Sequence, residues 1–131
     1  MKGGILFISP SVEDARSLED ILNCVGISVR QATSYAMARK ALEKESFSAV
    51  LTESRLPDGN WDDVVTLVGK MRPGVAVVVA DKLADARLWA DGLQLGAYDL
   101  LAKPFYPGEV QRVIARAVHE PPQLMRAAPA A

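Results

Sequence analysis

Apolar residues occur in two spacings along this chain, and the alternation of the two predicts its architecture. Short, mainly apolar runs at 5–8, 47–52 and 75–80 have the length of strands buried on both faces. The run at 75–80, Val-Ala-Val-Val-Val-Ala, is the most β-prone and reads as a central strand. Between the runs, apolar positions recur every three or four residues, as on one helix face. Ala15, Leu18, Ile21, Leu22 and Val25 make the first such face, begun by Ser11 with Asp14 three residues on and stopped by Gly26. A weaker, more polar strand over 27–30 belongs at the sheet edge. Thr33 or Ser34 caps a second helix whose apolar face holds Met37, Ala38, Ala41 and Leu42.

The second half repeats the alternation. A third helix is expected over 61–71 with Val64, Val65 and Val68 inward, broken at Pro73-Gly74. A fourth helix over 83–95 closes at Gly96, and a short fifth strand covers 98–102. Pro107 suits the first position of a last helix, which buries Val110, Val113, Ile114, Ala117 and Val118. Past His119 the chain turns Pro- and Ala-rich, so residues 1–119 are expected to form the domain. Residues 120–131 then form a ragged end or the start of a linker. Five strands alternating with five helices predict an α/β fold with right-handed crossovers, a parallel sheet and helices on both faces.

Composition narrows the function. The chain has 131 residues, 50% of them hydrophobic and 24% charged, which suits one globular domain. A net charge of -1 supplies no field for nucleic acid. Cys24 is the sole cysteine, so no internal disulfide is possible; it is expected as a small buried residue on a helix. No apolar run is long enough for a membrane span and no signal segment opens the chain, so a soluble, cytoplasmic protein is expected.

Chemistry gathers around the stretch Ala49-Val50-Leu51-Thr52-Glu53-Ser54-Arg55-Leu56-Pro57-Asp58-Gly59. An apolar strand ends at a carboxylate and then at a Pro-Asp-Gly turn signal, with Gly59 available for a positive φ. In open parallel sheets sites form at the carboxyl ends of strands, so Glu53 marks the mouth of the site. A second motif runs Gly96-Ala97-Tyr98-Asp99-Leu100-Leu101-Ala102-Lys103-Pro104-Phe105.

Together these stretches resemble the receiver domain of response regulators over roughly residues 4 to 118. That family reads Asp-x-x-(Leu or Met)-Pro-(Asp or Gly) after its third strand, and Gly-Ala-x-Asp-(Tyr or Phe)-(Leu or Ile)-x-Lys-Pro around its fifth. The resemblance implies a CheY-like, flavodoxin-like doubly wound fold of strand order 2-1-3-4-5. It implies a two-component signalling module rather than an enzyme, with the Lys103-Pro104 bond cis.

The family's acceptor Asp is Glu53 here. Its acidic pair, which helps hold Mg²⁺, falls on Ser9 and Pro10, with Ser11 next. Its hydroxyl after the fourth strand falls on Asp81, and its switch aromatic on Leu100; Lys103 is kept. Mg²⁺ wants anionic oxygen ligands, so metal binding is expected to be lost and no cofactor is expected. Glu13 and Asp14, further on, read as helix-dipole partners rather than metal ligands. The extra methylene of Glu53 shifts the carboxylate by ~1.5 Å, where a misplacement near ~1 Å can cost ~100-fold. The pattern resembles a pseudo-receiver acting without phosphorylation. Lys103 is then expected to pair with Glu53 in preference to Asp81, standing in for the missing metal charge.

A protein partner or a second copy would dock on the face of the fourth helix, fifth strand and fifth helix. A sensor kinase and an output domain are possible partners; no direct nucleic-acid or membrane binding is expected. Trp61 either lids the pocket or, preferably, packs at a helix start, and Trp89 is expected as a partly buried residue beside the docking face. Two alternatives stay open: a conventional phospho-acceptor using Glu53, and a flavodoxin-like domain whose emptied pocket takes a small ligand. No Gly-rich phosphate loop supports the latter.

Overall fold

All the strand pairings of the main sheet are parallel. The computed structural model describes residues 4–82, 90 and 94–122. The main sheet contains β1 (Ile5–Ile8), β2 (Val29–Ala32), β3 (Ala49–Glu53), β6 (Ala76–Asp81) and β7 (Asp99–Ala102), in the order β2-β1-β3-β6-β7. Counting main-sheet strands alone, this is the expected 2-1-3-4-5. The helices are α1 (Val12–Asn23), α2 (Tyr35–Lys44), α3 (Trp61–Met71) and α4 (Pro107–His119). Residues 83–89 and 91–93 of the helix expected over 83–95, Trp89 among them, and the tail from 123 onward lie outside the described residues.

The sheet divides the core in two. Successive side chains of a strand point to opposite faces, so Ile5, Phe7, Leu51 and Val78 join α1 and α4 in one cluster. Leu6, Ile8, Val50 and Val77 join α2 and α3 in the other. All four residues of β1 and all five of β3 are buried, in keeping with the apolar runs Ile5–Ile8 and Ala49–Leu51; β3 then ends in the polar Thr52 and Glu53.

Several sequence expectations need correction. The helix α1 ends at Asn23, where the Gly26 N–H bonds the Asn23 carbonyl at 3.1 Å and the Ile27 N–H bonds Leu22 at 3.0 Å. These are the bonds of a Schellman motif, and Gly26 supplies its left-handed residue at φ +76°. Cys24 and Val25 therefore fall in the turn and are exposed instead of buried. The same turn consumes Ile27, so the edge strand begins at Val29. Met37 is also exposed, and Leu67 joins Val64 and Val68 on the buried face of α3.

The Pro-Asp-Gly turn closes a short antiparallel hairpin of β4 (Arg55–Leu56) and β5 (Gly59–Asn60). Gly59 does not take a positive φ; a Cβ there would meet Asp63 Oδ2 at 3.2 Å and Tyr35 Cβ at 3.6 Å, so it allows close approach. Asp58 ties the hairpin to α2: its Oδ1 accepts from the Tyr35 N–H at 2.8 Å and its Oδ2 from the Ala36 N–H at 3.1 Å. With Ser34 Oγ accepting from the Met37 N–H at 3.2 Å, the first turn of α2 is capped from two segments. Asp58→Ala is expected to lower stability by about 0.5–2 kcal/mol, the range for a lost helix cap. Urea denaturation checks this as a lower midpoint at unchanged slope.

Candidate functional site

The carboxyl ends of β1, β3, β6 and β7 bring Ser9, Glu53, Asp81 and Lys103 to one end of the sheet. Glu53 is the last residue of β3 and is 8% exposed. Lys103 follows β7 and turns its ammonium onto that carboxylate, with Nζ 2.7 Å from Oε1 and 2.8 Å from Oε2. Ser9, fully buried, donates from Oγ to Glu53 Oε2 at 2.8 Å and accepts from the Ser11 N–H at 3.1 Å. The Glu53–Lys103 pair is thus present as expected.

The third partner was not legible as such. Asp14, assigned by sequence to the helix dipole, places Oδ2 2.9 Å from Lys103 Nζ. The first turn of a helix leaving β1 overhangs the carboxyl end of the sheet, so an acidic residue there reaches the site as well as the helix terminus. Gln31, from β2, was also missed. Its amide donates to the Ser9 carbonyl at 2.9 Å and the Ser11 carbonyl at 3.4 Å, fixing the loop between β1 and α1.

Asp81 meets the site through Ser54 and the Lys103 backbone. Its carboxylate accepts a short hydrogen bond from Ser54 Oγ, and its carbonyl accepts from the Lys103 N–H at 3.2 Å. Ser54, next to Glu53, also accepts from the Trp61 N–H at 3.0 Å through its carbonyl. Leu100, at the switch position, is buried with Val79 and Ala97, and Trp61 packs against the three. Trp61 therefore has the packing role at the start of α3. Pro10 is exposed beside the site, and the Lys103-Pro104 bond is cis. Phe105 then stacks edge-on to Phe7 at 6.0 Å, anchoring the turn to the core.

Burial penalises the Lys103 ammonium, but its hydrogen bonds to Glu53 and Asp14, with their charges, outweigh that penalty. Lys103 is accordingly held above the ordinary lysine value. The donor set does not suit Mg²⁺. Both Glu53 oxygens and one Asp14 oxygen already face a cation, and the residues after β1 offer hydroxyls instead of carboxylates. Among the described residues no three His, Cys, Asp or Glu side chains converge as metal ligands. A cleft of about 410 Å³ lies at the other end of the sheet, lined in part by Gly4, Val25, Ile27, Ser28, Gln111 and His119. No helix among the described residues is long and apolar enough to cross a membrane.

A five-stranded parallel sheet with a Lys–carboxylate cluster at its carboxyl edge is a doubly wound fold whose polar site lies at the strand ends. The chain belongs to the response regulator receiver domain family, whose model matches residues 6–115. It is 31% identical over 106 residues to the response regulator protein PilR of Pseudomonas aeruginosa, covering 80% of this chain and 24% of that protein. The beryllofluoride-activated NtrC4 receiver domain dimer superposes with a TM-score of 0.82 at 22% identity, covering 88% of this chain and 96% of that one. The receiver domain of a Pseudomonas aeruginosa sensor histidine kinase, with a magnesium ion in its active-site cleft, gives 0.79 at 23% identity, covering 92% of this chain and 100% of that one. The chain spans about a quarter of the length of the curated relatives it matches.

Lys103→Met is expected to cost about 1–3 kcal/mol, the range for a buried group left without its partner. The sign of its pH dependence follows from the raised value. The lysine's contribution is complete below its ordinary value of 10.5 and is lost as pH rises through the higher folded value. Urea midpoints of wild type and Lys103→Met should therefore differ at neutral pH and converge in strong alkali; equal midpoints at pH ~7 would show that the ion pair contributes no stability.

Proposed function

We propose that this receiver domain signals without accepting a phosphoryl group, as a protein-interaction module in a two-component-type pathway. The observation that carries the reading is the hydrogen bond from Ser9 to Glu53. At the position where the family keeps an acidic residue for Mg²⁺, this chain has a hydroxyl that donates to the acceptor residue itself. Phosphoryl transfer needs an in-line nucleophile and charge compensation at the phosphoryl oxygens. Glu53 has its oxygens engaged by Lys103 and Ser9, and the hydroxyl that would face the phosphoryl group is replaced by the Asp81 carboxylate. Like charges there oppose an incoming phosphate.

The working surface on this reading is the face around β7 and α4, taking a protein partner or a second copy. The NtrC4 receiver, similar in fold, is a dimer. A sensor kinase or an output domain is a candidate partner, since the chain matches about a quarter of the length of relatives such as PilR. The net charge of -1 argues against direct nucleic-acid binding, and a cytoplasmic setting accords with the pathway. Mg²⁺ is not part of this function.

Incubation with acetyl phosphate and Mg²⁺, read by intact mass, is expected to leave the wild-type protein unmodified. Its self-association in sedimentation is expected to be the same with and without the donor. A Mg²⁺-dependent phosphoryl adduct on wild type that disappears in Glu53→Gln would overturn the reading.

A further inference from the structure

Most of the oxygen acceptors around Lys103 have an internal donor. An ammonium has three N–H donors, and the Lys103 nitrogen has three close carboxylate contacts: Glu53 Oε1 at 2.7 Å, Glu53 Oε2 at 2.8 Å and Asp14 Oδ2 at 2.9 Å. Ser9 Oγ is used by Glu53 and the Ser11 N–H. The Ser9 and Ser11 carbonyls are used by Gln31. The site is filled from within, and its charge is supplied by a side chain.

We propose that Asp14 fixes the Lys103 ammonium between α1 and β3 as the resident cation of the pocket, and that this seated ammonium shuts divalent metal out. The inference rests on the reading above in one respect, that wild type takes no Mg²⁺, and adds the cause. The missing acidic pair removes ligands, but it leaves Glu53 and Asp14 flanking one point. Two carboxylates about a single position are what a hard divalent ion binds. A divalent ion and an ammonium repel, so they compete for these carboxylates. Asp14 acts through Lys103 and is a positioning residue. It holds the ammonium on the α1 side while Glu53 holds it on the β3 side, so both carboxylates stay engaged with the lysine. Shortening Glu53 to Asp leaves the Asp14–Lys103 contact in place, so that substitution alone does not open the site to metal.

The test uses Mn²⁺ itself, followed by paramagnetic broadening of amide signals near residue 53. Wild type and Glu53→Asp are expected to show no saturable binding at millimolar Mn²⁺. Lys103→Met should bind saturably, and adding Asp14→Asn to it should weaken binding by about 10-fold or more, the scale for loss of a group supporting a metal site. The proposal is overturned if Lys103→Met binds no better than wild type, or if the double variant binds as well as the single one. Should Lys103→Met not fold, Asp14→Asn alone decides the matter through the ¹⁵N-resolved Lys103 ammonium signal. Faster proton exchange at that nitrogen than in wild type supports the tether, and an unchanged rate overturns it. Saturable Mn²⁺ binding by wild type near Glu53 would instead sink the metal-free reading of the function. Failure of the variants alone leaves that reading standing.

Discussion

The Lys103 ammonium is the point on which the carboxyl end of this fold depends. It follows the edge strand β7, ends on a residue of the central strand β3, and touches the first turn of α1. Three segments far apart in sequence are thereby held by one charge. Burying an ion pair yields little net stability, because desolvation opposes the attraction. Burying one partner alone is much worse. The cluster therefore specifies where these segments sit more than it strengthens the fold. Ser9 and Gln31 extend the constraint to the loop after β1, and the cis bond and the Phe105–Phe7 contact fix the loop after Lys103.

The architecture tolerates such a rewired site because its stability lies elsewhere. Two apolar clusters, one on each face of the sheet, bury strands β1 and β3 completely. Residues at the strand ends can change without touching either cluster. Ser9, Glu53 and Asp81 differ from the family pattern while the strand registers around them stay regular; Ile8 pairs with Thr52 and Glu53 with Ala80. A sheet of this kind separates the fold, carried by strand interiors, from the chemistry at strand ends.

The same separation explains what could be read from sequence. Strand interiors and helix faces announce themselves by apolar spacing, so β1, β3, β6, α1, α3 and α4 were legible to within a residue or two. Boundaries were less so. The Schellman turn at Gly26 draws on Ile27, which spacing alone assigns to a strand, and it turns Cys24 and Val25 outward. Within the site, Lys103 and Glu53 were legible because a resemblance fixed their positions. Asp14 was not, since an acidic residue in a first helical turn has a sufficient local explanation in the helix dipole. Gln31 carried no signal, because it lies on a polar edge strand where nothing in the one-dimensional pattern points across to Ser9 and Ser11. The pairing of Ser54 with Asp81 likewise needs the register of β3 against β6 before the two can be seen as neighbours.

A bound group shifts a conformational equilibrium only by its differential affinity for the two states. In a receiver that takes a phosphoryl group, the group supplies that difference at the pocket. Here the Glu53 and Asp14 carboxylates are engaged by the chain's own Lys103, and Leu100, buried with Val79, Ala97 and Trp61, has no polar end to exchange between inside and outside. On the proposed reading, no event at the pocket then separates one state from another. The differential free energy has to come from a partner's contacts on the surface. On the same reading, such a domain transmits the presence or concentration of its partner.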